Sequence, residues 1–470
     1  MNRAAERPDL VRRGLFAIAC GTSFFVLYNF TNWVAASRDI RQTCYSDWEL
    51  DIPLIPWLIL PYWSIDLLFV IAFLICRTGE ELGRLARRIL LAIAIASIAF
   101  LVWPIRLGWE REVDLQITGA WRPLFDTLFS FDQPFNLFPS LHVAFCVLLH
   151  GHFLSHARHP LLRNLIHAWF MLITLSTVFV HQHHLIDVLG GLLLGGVCCY
   201  LFTTSEARWH RSTTSKRTWQ LTALYSLGAI TLALAAASFG GWWLLLLWPS
   251  LSCALVAFGY AGAGSRVCPS TIDGPTWPAK FLLFPWLEAL GQSRRWYWRR
   301  LPPPAPIHDG IHIGNVRDAE NWNGAVVDAS CEHRRRGSAA RFQRVPLLDL
   351  TAPTPDDLQA IARLIDQQRR HGPVLVCCGL GLGRSVLLVA AWLLSTGRAA
   401  NPDHAMRLIR RTRPGAVLPA DGRAALGEIV THQMKEHRCR EGQRVHPIQN
   451  TSMAAEDPPE ILDAGIAFDG

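Results

Sequence analysis

Charged residues are scarce in this 470-residue chain: Asp, Glu, Lys and Arg make up 17% of it, against 51% hydrophobic residues. Soluble domains carry about a quarter charged residues, so an entirely soluble architecture is excluded. The twelve cysteines show no paired spacing of the kind that marks a zinc site or a disulfide framework. Six of them (Cys20, Cys76, Cys146, Cys198, Cys199 and Cys253) lie inside apolar runs, where a thiol acts as a small hydrophobe. No internal repeat is visible. The first apolar run, Leu15 to Ala36, lacks a clear cleavage site and is long for a signal-peptide core. It reads as a retained first helix.

What is present is unevenly spread. Runs near the length that spans a bilayer, about 20 residues, crowd the first 263 positions. Eight candidate spans fall at about 15–36, 54–76, 89–105, 137–155, 163–181, 185–203, 218–238 and 241–262. The expected architecture is a multi-pass α-helical membrane domain over 1–263 and a linker over 264–304. An α/β domain with a central sheet flanked by helices follows over 305–436, and a disordered tail over 437–470.

The net charge of +8 does not call for nucleic acid, because Lys and Arg gather in the cytoplasmic loops of membrane proteins. One set of termini and loops holds Arg3, Arg7, Arg12, Arg13, Arg77, Arg84, Arg87, Arg88, Arg158, Arg163, Arg208, Arg211, Lys216 and Arg217. The opposite loops hold Arg38, Arg41, Arg106, Arg111 and Arg122. This bias predicts both termini in the cytoplasm and residence in the cell (inner) membrane. In the linker, Phe281 to Leu287 and Arg294 to Arg300 mix aromatic and basic residues. They suit a membrane interface or a packed linker, and both readings stand. Pro302 to Pro306 close it stiffly.

In the soluble half, 311–313, 325–328, 344–350 and 374–377 read as strands, with helices over about 355–370, 384–394, 402–412 and 420–435. Thr354 and Pro355 suit a helix start. The string Val376-Cys-Cys-Gly-Leu-Gly-Leu-Gly-Arg-Ser385 joins an apolar strand to a helix. Such a turn aims backbone N–H groups at one point and makes an anion site. A thiolate at Cys378 is stabilised there, the glycines let the backbone approach the anion, and Arg384 can grip phosphate with two N–H groups. The rival reading is a Gly-rich turn with two inert cysteines.

The string resembles the signature of the protein tyrosine and dual-specificity phosphatases: Cys, five residues, Arg, then Ser or Thr. The resemblance implies phosphate held by Arg384 and the backbone of Gly379, Leu380, Gly381, Leu382 and Gly383. It makes Cys378 the nucleophile, Ser385 the hydroxyl that eases departure of the thiolate, and Asp349 the general acid, 29 residues before the cysteine. The family's usual His before the nucleophile is replaced by Cys377. The loop has no Lys or Arg besides Arg384, which favours a monophosphate.

A second group of polar residues lies at span ends: Pro139-Ser-Leu-His142 and His183-His-Leu-Ile-Asp187, on the face that also holds Arg106 and Arg111. Ionisable groups there mark a functional site by default. The pattern resembles the type 2 phosphatidic acid phosphatase superfamily. That implies His183 as nucleophile oriented by Asp187, His142 as proton donor, and Ser140, Arg106 and Arg111 at the phosphate. The family's Ser-Arg is Ser176-Thr177 here, and Arg111 precedes Glu112 where Arg-Pro is usual. Those losses are shared with lipid synthases of the inositol-phosphorylceramide type. Capping and an interfacial polar patch are the plain alternative. Metal binding by His181, His183 and His184 is disfavoured, because neighbouring histidines cannot converge on one ion.

The expected protein is a two-site membrane phosphatase: a His site on a lipid phosphate and a Cys site on a monoester of lipid or phosphoprotein. A headgroup transferase with a regulatory cysteine domain is the alternative. Neither mechanism needs a metal or organic cofactor.

Overall fold

A computed structural model describes residues 8–38, 40, 42–204, 211–298 and 300–431. The tail at 437–470, the end of the last predicted helix, and Arg3, Arg7, Arg41 and Arg208 lie outside the described residues.

Among the described residues, ten α-helices form the N-terminal half: α1 (Leu10–Ala36), α2 (Ile59–Leu74), α3 (Gly79–Val102), α4 (Arg111–Ile117), α5 (Arg122–Phe131), α6 (Leu141–His156), α7 (Pro160–Phe179), α8 (Leu185–Leu201), α9 (Lys216–Phe239) and α10 (Leu247–Phe258). Helix occurs in each of the eight apolar places expected. Among the described residues, six stretches are long and apolar enough to cross a membrane by length and composition, while α6 and α8 are shorter. The start of α3 lies ten residues before the expected 89, because Thr78 caps it by accepting from the Glu81 N–H (3.1 Å). Arg84, Arg87 and Arg88 therefore ride on a helix instead of a loop. The short helices α4 and α5 were not anticipated.

Close packing of α8 on α6 depends on glycine. A Cβ at Gly191 would lie 2.4 Å from the Ser140 carbonyl oxygen, and one at Gly195 would lie 2.6 Å from Val147 Cβ. These contacts bring the N-terminal ends of the two helices together.

The linker is built of β1 (Ser270–Thr271), β2 (Gly274–Pro275), α11 (Trp277–Leu282) and α12 (Phe284–Trp298). Trp286 and Arg294 are buried, while Trp296 and Tyr297 are exposed. The linker is thus packed on one face and aromatic on the other.

The C-terminal half has β3 (Ala305–His308), β4 (Ile311–Asn315), β5 (Ala325–Ser330), β6 (Phe342–Leu347), α13 (Pro355–Arg369), β7 (Val374–Cys378), α14 (Arg384–Ser395) and α15 (Pro402–Thr412), then helix over 420–431. The sheet order is β3-β4-β7-β5-β6, parallel except for the β3–β4 pair. Every residue of the central strand β7 is buried. Because side chains alternate along a strand, Val374, Val376 and Cys378 enter one core with α13 and α14. Leu375 and Cys377 enter the other, with Phe342 and Trp298 of α12 packed against it. The linker therefore covers part of the sheet. A further cluster (Val256, Tyr260, Val267, Trp286, Cys331 and Leu348) joins the apolar half to the sheet domain.

Candidate active sites

The turn after β7 leads into α14, whose first residue is Arg384. The four loop carbonyls from 379 to 382 all accept hydrogen bonds from outside the loop. Trp298 Nε1 donates to Gly379 (2.9 Å), Arg413 donates to Leu380 (3.4 Å) and Gly381 (2.8 Å), and Val417 N–H donates to Leu382 (2.8 Å). With the carbonyls tied outward, the N–H ends of the same peptides point the other way, as an anion-binding turn requires. The Gly381 N–H donates to Cys378 Sγ at 3.3 Å, and Ser385 Oγ lies 3.5 Å from the same sulfur. The sulfur thus accepts one backbone N–H and has a hydroxyl beside it.

Arg384 is buried and held in a two-pronged pair with Glu332: Nη1 donates to Oε2 (2.8 Å) and Nη2 to Oε1 (2.6 Å). Nη1 also donates to the Leu347 carbonyl (2.9 Å). Asp349, just past β6, lies 3.2 Å from Arg384 Nε and is partly exposed. Nε is buried, makes no hydrogen bond, and has the Asp349 carboxylate as its charged neighbour.

Sequence reading missed four residues here. Glu332 anchors Arg384. Its burial alone would raise its pKa, but Arg384 and Arg294 hold it well below the usual carboxylate range. Arg294 of α12 lies 2.6 Å from Glu332. His333, pushed down to about 4 by burial against the pull of Glu332, is neutral and accepts from Arg294 Nη1 (2.6 Å). Arg413 is fully buried under the loop. None carries a local signal, since each reaches the loop from a distant segment. The expectation that Arg384 is the loop's sole cation therefore fails in space: a Cβ on Gly379 would lie 3.2 Å from the Arg294 guanidinium carbon. The extra charge is balanced by Glu332.

Cys377, where His is usual, has its thiol pushed well up by burial and by Asp328. It faces the core opposite Cys378.

The other site forms where α6 meets the α7–α8 turn. Ser140 caps α6 by accepting from Val143 N–H (3.3 Å), and its own N–H donates to the Asp187 carbonyl (3.0 Å). That bond ties the N-terminal end of α6, which carries His142, to the start of α8, which carries Asp187. His183 Nδ1 lies 3.7 Å from Asp187 Oδ2 and makes no hydrogen bond. Asp187 Oδ2 accepts from the His184 N–H (2.9 Å), which fixes its carboxylate at the start of α8. Tyr62 of α2 stacks on His142, with centroids 4.2 Å apart.

The three clustered histidines go separate ways. His181 binds Asp114 and the Ile52 carbonyl, both at 2.9 Å. His184 is stacked on Tyr45 and Trp109 and accepts from Gly108 N–H (3.1 Å). His183 Nδ1 beside Asp187 and His184 Nδ1, 3.6 Å from Glu49 Oε2, both lack a hydrogen bond, but the other nitrogen of His184 is already taken by Gly108. Arg111 donates to Asp132 (2.6 Å to its carbonyl, 2.9 Å to Oδ2) and lies 3.5 Å from Gln182 Oε1. It borders the site through the residue before His183. Arg106 is exposed, and its backbone N–H donates to Gln42.

Thiol, arginine and hydroxyl around an anion-binding turn suit cysteine-dependent phosphoryl transfer, and the histidine–carboxylate pair suits a second phosphoryl-transfer centre. Residues 315–426 match the family described as dual specificity phosphatase, catalytic domain, and residues 57–201 match the PAP2 superfamily. The chain carries one domain of each, and both belong to phosphatase families. Solved structures similar to the C-terminal part include a mouse putative dual specificity phosphatase complexed with zinc tungstate (23% identity, 29% of this chain and 91% of that one, TM-score 0.27). Human DUSP28 (18%, 28% and 96%, 0.25) and Tk-PTP in its active form (26%, 28% and 97%, 0.25) are also similar. No curated protein matches the chain.

Proposed function

We propose that the chain is a two-site membrane phosphatase with domains at 1–263 and 305–436 and both termini in the cytoplasm. At the cytoplasmic site Cys378 attacks phosphorus, Arg384 and the 379–383 amides hold the phosphoryl oxygens, Asp349 protonates the leaving oxygen, and Ser385 eases release of the thiolate. The outward anchoring of all four loop carbonyls from 379 to 382 carries this reading. A lipid phosphomonoester is favoured as substrate. The helix that anchors Gly379 also exposes Trp296 and Tyr297, which suit headgroup depth.

At the opposite end of the helical half, His183 attacks a lipid phosphate, Asp187 orients it and His142 protonates the leaving group. The unengaged His183 nitrogen beside Asp187 supports this.

Full chain in detergent tests both assignments. Cys378→Ser abolishes p-nitrophenyl phosphate hydrolysis while Cys377→Ser retains it, and equal rates in wild type and Cys378→Ser would sink the cysteine assignment. His183→Ala abolishes phosphate release from a phosphatidic acid panel, and an unchanged rate rules out its role. Headgroup transfer to an added alcohol in place of phosphate release would make the His site a transferase.

A further inference from the structure

Outside both phosphate sites, Glu81 near the start of α3 meets His152 and His156 in the last turns of α6. One ligand atom from each lies within 4.8 Å of the others. The two histidines are four residues apart and share a helix face. They sit toward the far end of α6 from His142, about 15 Å (His152) and about 21 Å (His156) along the helix axis at about 1.5 Å per residue.

The hydrogen bonds assign the ring protons. His152 Nε2 lies 2.9 Å from the Ala72 carbonyl. A carbonyl only accepts, so Nε2 bears the proton and the lone pair of the neutral ring is on Nδ1. That Nδ1 lies 3.7 Å from Glu81 Oε1. His156 Nδ1 lies 3.0 Å from the His152 carbonyl. Its nearby Ser155 hydroxyl spends its own proton on that carbonyl (2.6 Å) and can only accept from the ring. His156 Nε2 is therefore the lone-pair nitrogen. It is buried, makes no hydrogen bond, and lies 3.1 Å from the same Glu81 oxygen.

Two imidazole lone pairs and a carboxylate thus face one another without a donor among them. A single shared proton would satisfy only one ring. A divalent cation would satisfy all three at once. Each histidine already has the carbonyl partner on its other nitrogen that metal-binding imidazoles use to fix their orientation. Glu81 is held as well, since Oε2 accepts the Arg77 N–H (2.7 Å). A cavity lined by Leu74, Ile75, Arg77 and His156 adjoins the cluster, giving room for a water in a fourth position.

We propose that Glu81, His152 and His156 bind a zinc-class divalent cation, with three protein ligands and the fourth position open to this cavity. The ion would tie the start of α3 to the end of α6, and through Ala72 to α2, at the end of the bundle remote from His183.

Purified full chain in detergent is stripped with EDTA, desalted and titrated with zinc sulfate against a chromophoric chelator. Retained zinc is counted by mass spectrometry. Wild type should retain one equivalent, and its thermal unfolding should shift upward with zinc. Glu81→Gln and His156→Gln, both close in size to the native residue, should lose that equivalent and the shift. Their affinity should fall at least about 100-fold, since loss of an outer-shell partner alone costs up to that much. Their Cys378-dependent hydrolysis of p-nitrophenyl phosphate should match wild type, showing an intact fold. Wild type that retains no zinc overturns the proposal, as do variants that bind it equally well.

Discussion

The indole N–H of Trp298 donates to the carbonyl of Gly379 at 2.9 Å, so the helix leaving the apolar half holds one wall of the phosphate loop. Trp298→Phe keeps an aromatic side chain and removes this bond, along with part of the ring surface that Arg317 and the sheet core pack on. A hydrogen bond of that kind contributes about 1 kcal/mol. The expected result is a fall of roughly fivefold in kcat for Cys378-dependent hydrolysis, with a small fall in the unfolding temperature. An unaltered kcat would show that the anchor is dispensable.

Glu332 is buried between two guanidinium groups, Arg384 and Arg294. Removing one member of a buried charged set costs about 3–5 kcal/mol, so Glu332→Gln should lower the unfolding temperature and the hydrolysis rate together. The pH dependence follows from its depressed pKa. Above the unfolded value of about 4.3 the stabilisation is fully present. As pH falls below that, the unfolded chain takes up a proton that the folded carboxylate refuses, and stability is lost progressively down to the folded pKa. Thermal unfolding between pH 6 and pH 3 should therefore show wild type losing its advantage over Glu332→Gln on acidification.

Gly381 and Gly383 look alike in the sequence but differ in space. Gly381 has φ +70°, and a Cβ there would lie 2.4 Å from the Gly314 carbonyl oxygen. Gly383 has φ −125° and no neighbour within 4 Å of such an atom. Gly381→Ala should abolish p-nitrophenyl phosphate hydrolysis, through left-handed strain and collision with backbone. Gly383→Ala should stay within about threefold of wild type, the range of roughly 0.7 kcal/mol.

Gly191→Ala places a methyl group 2.4 Å from the Ser140 carbonyl oxygen. Overpacking of this kind costs about 1–3 kcal/mol, and here it separates the helix ends that carry His142 and His183. Phosphate release from the lipid panel should fall at least tenfold while the cysteine site is unaffected. Equal losses at both sites would mean general misfolding.

The helical places in the apolar half and the strand–loop–helix around Cys378 were legible because each is a local pattern of hydrophobic period, caps and glycines. The start of α3 was misplaced because a run of charged residues masked a helix that Thr78 caps. The strand β3 was missed because its proline-bearing segment has no alternation of its own, and it forms by pairing with β4. Among the three neighbouring histidines, sequence position alone did not separate His183 from His181 and His184. Their partners, Asp114, Ile52, Tyr45, Trp109 and Gly108, come from other segments.

The sequence by itself determined the two halves, the glycine-rich turn from Cys378 to Ser385, and the motif pairs His142 and His183–Asp187. These rest on spacing within a few residues, where backbone geometry follows directly from residue type. Tertiary structure alone decided what holds those groups. Glu332, Arg294, Trp298 and Arg413 converge on the loop from three distant segments, and Glu81 meets His152 and His156 across two helices. Such partnerships depend on long-range packing, which places charges and hydrogen-bond donors beside one another without leaving any local periodicity in the chain.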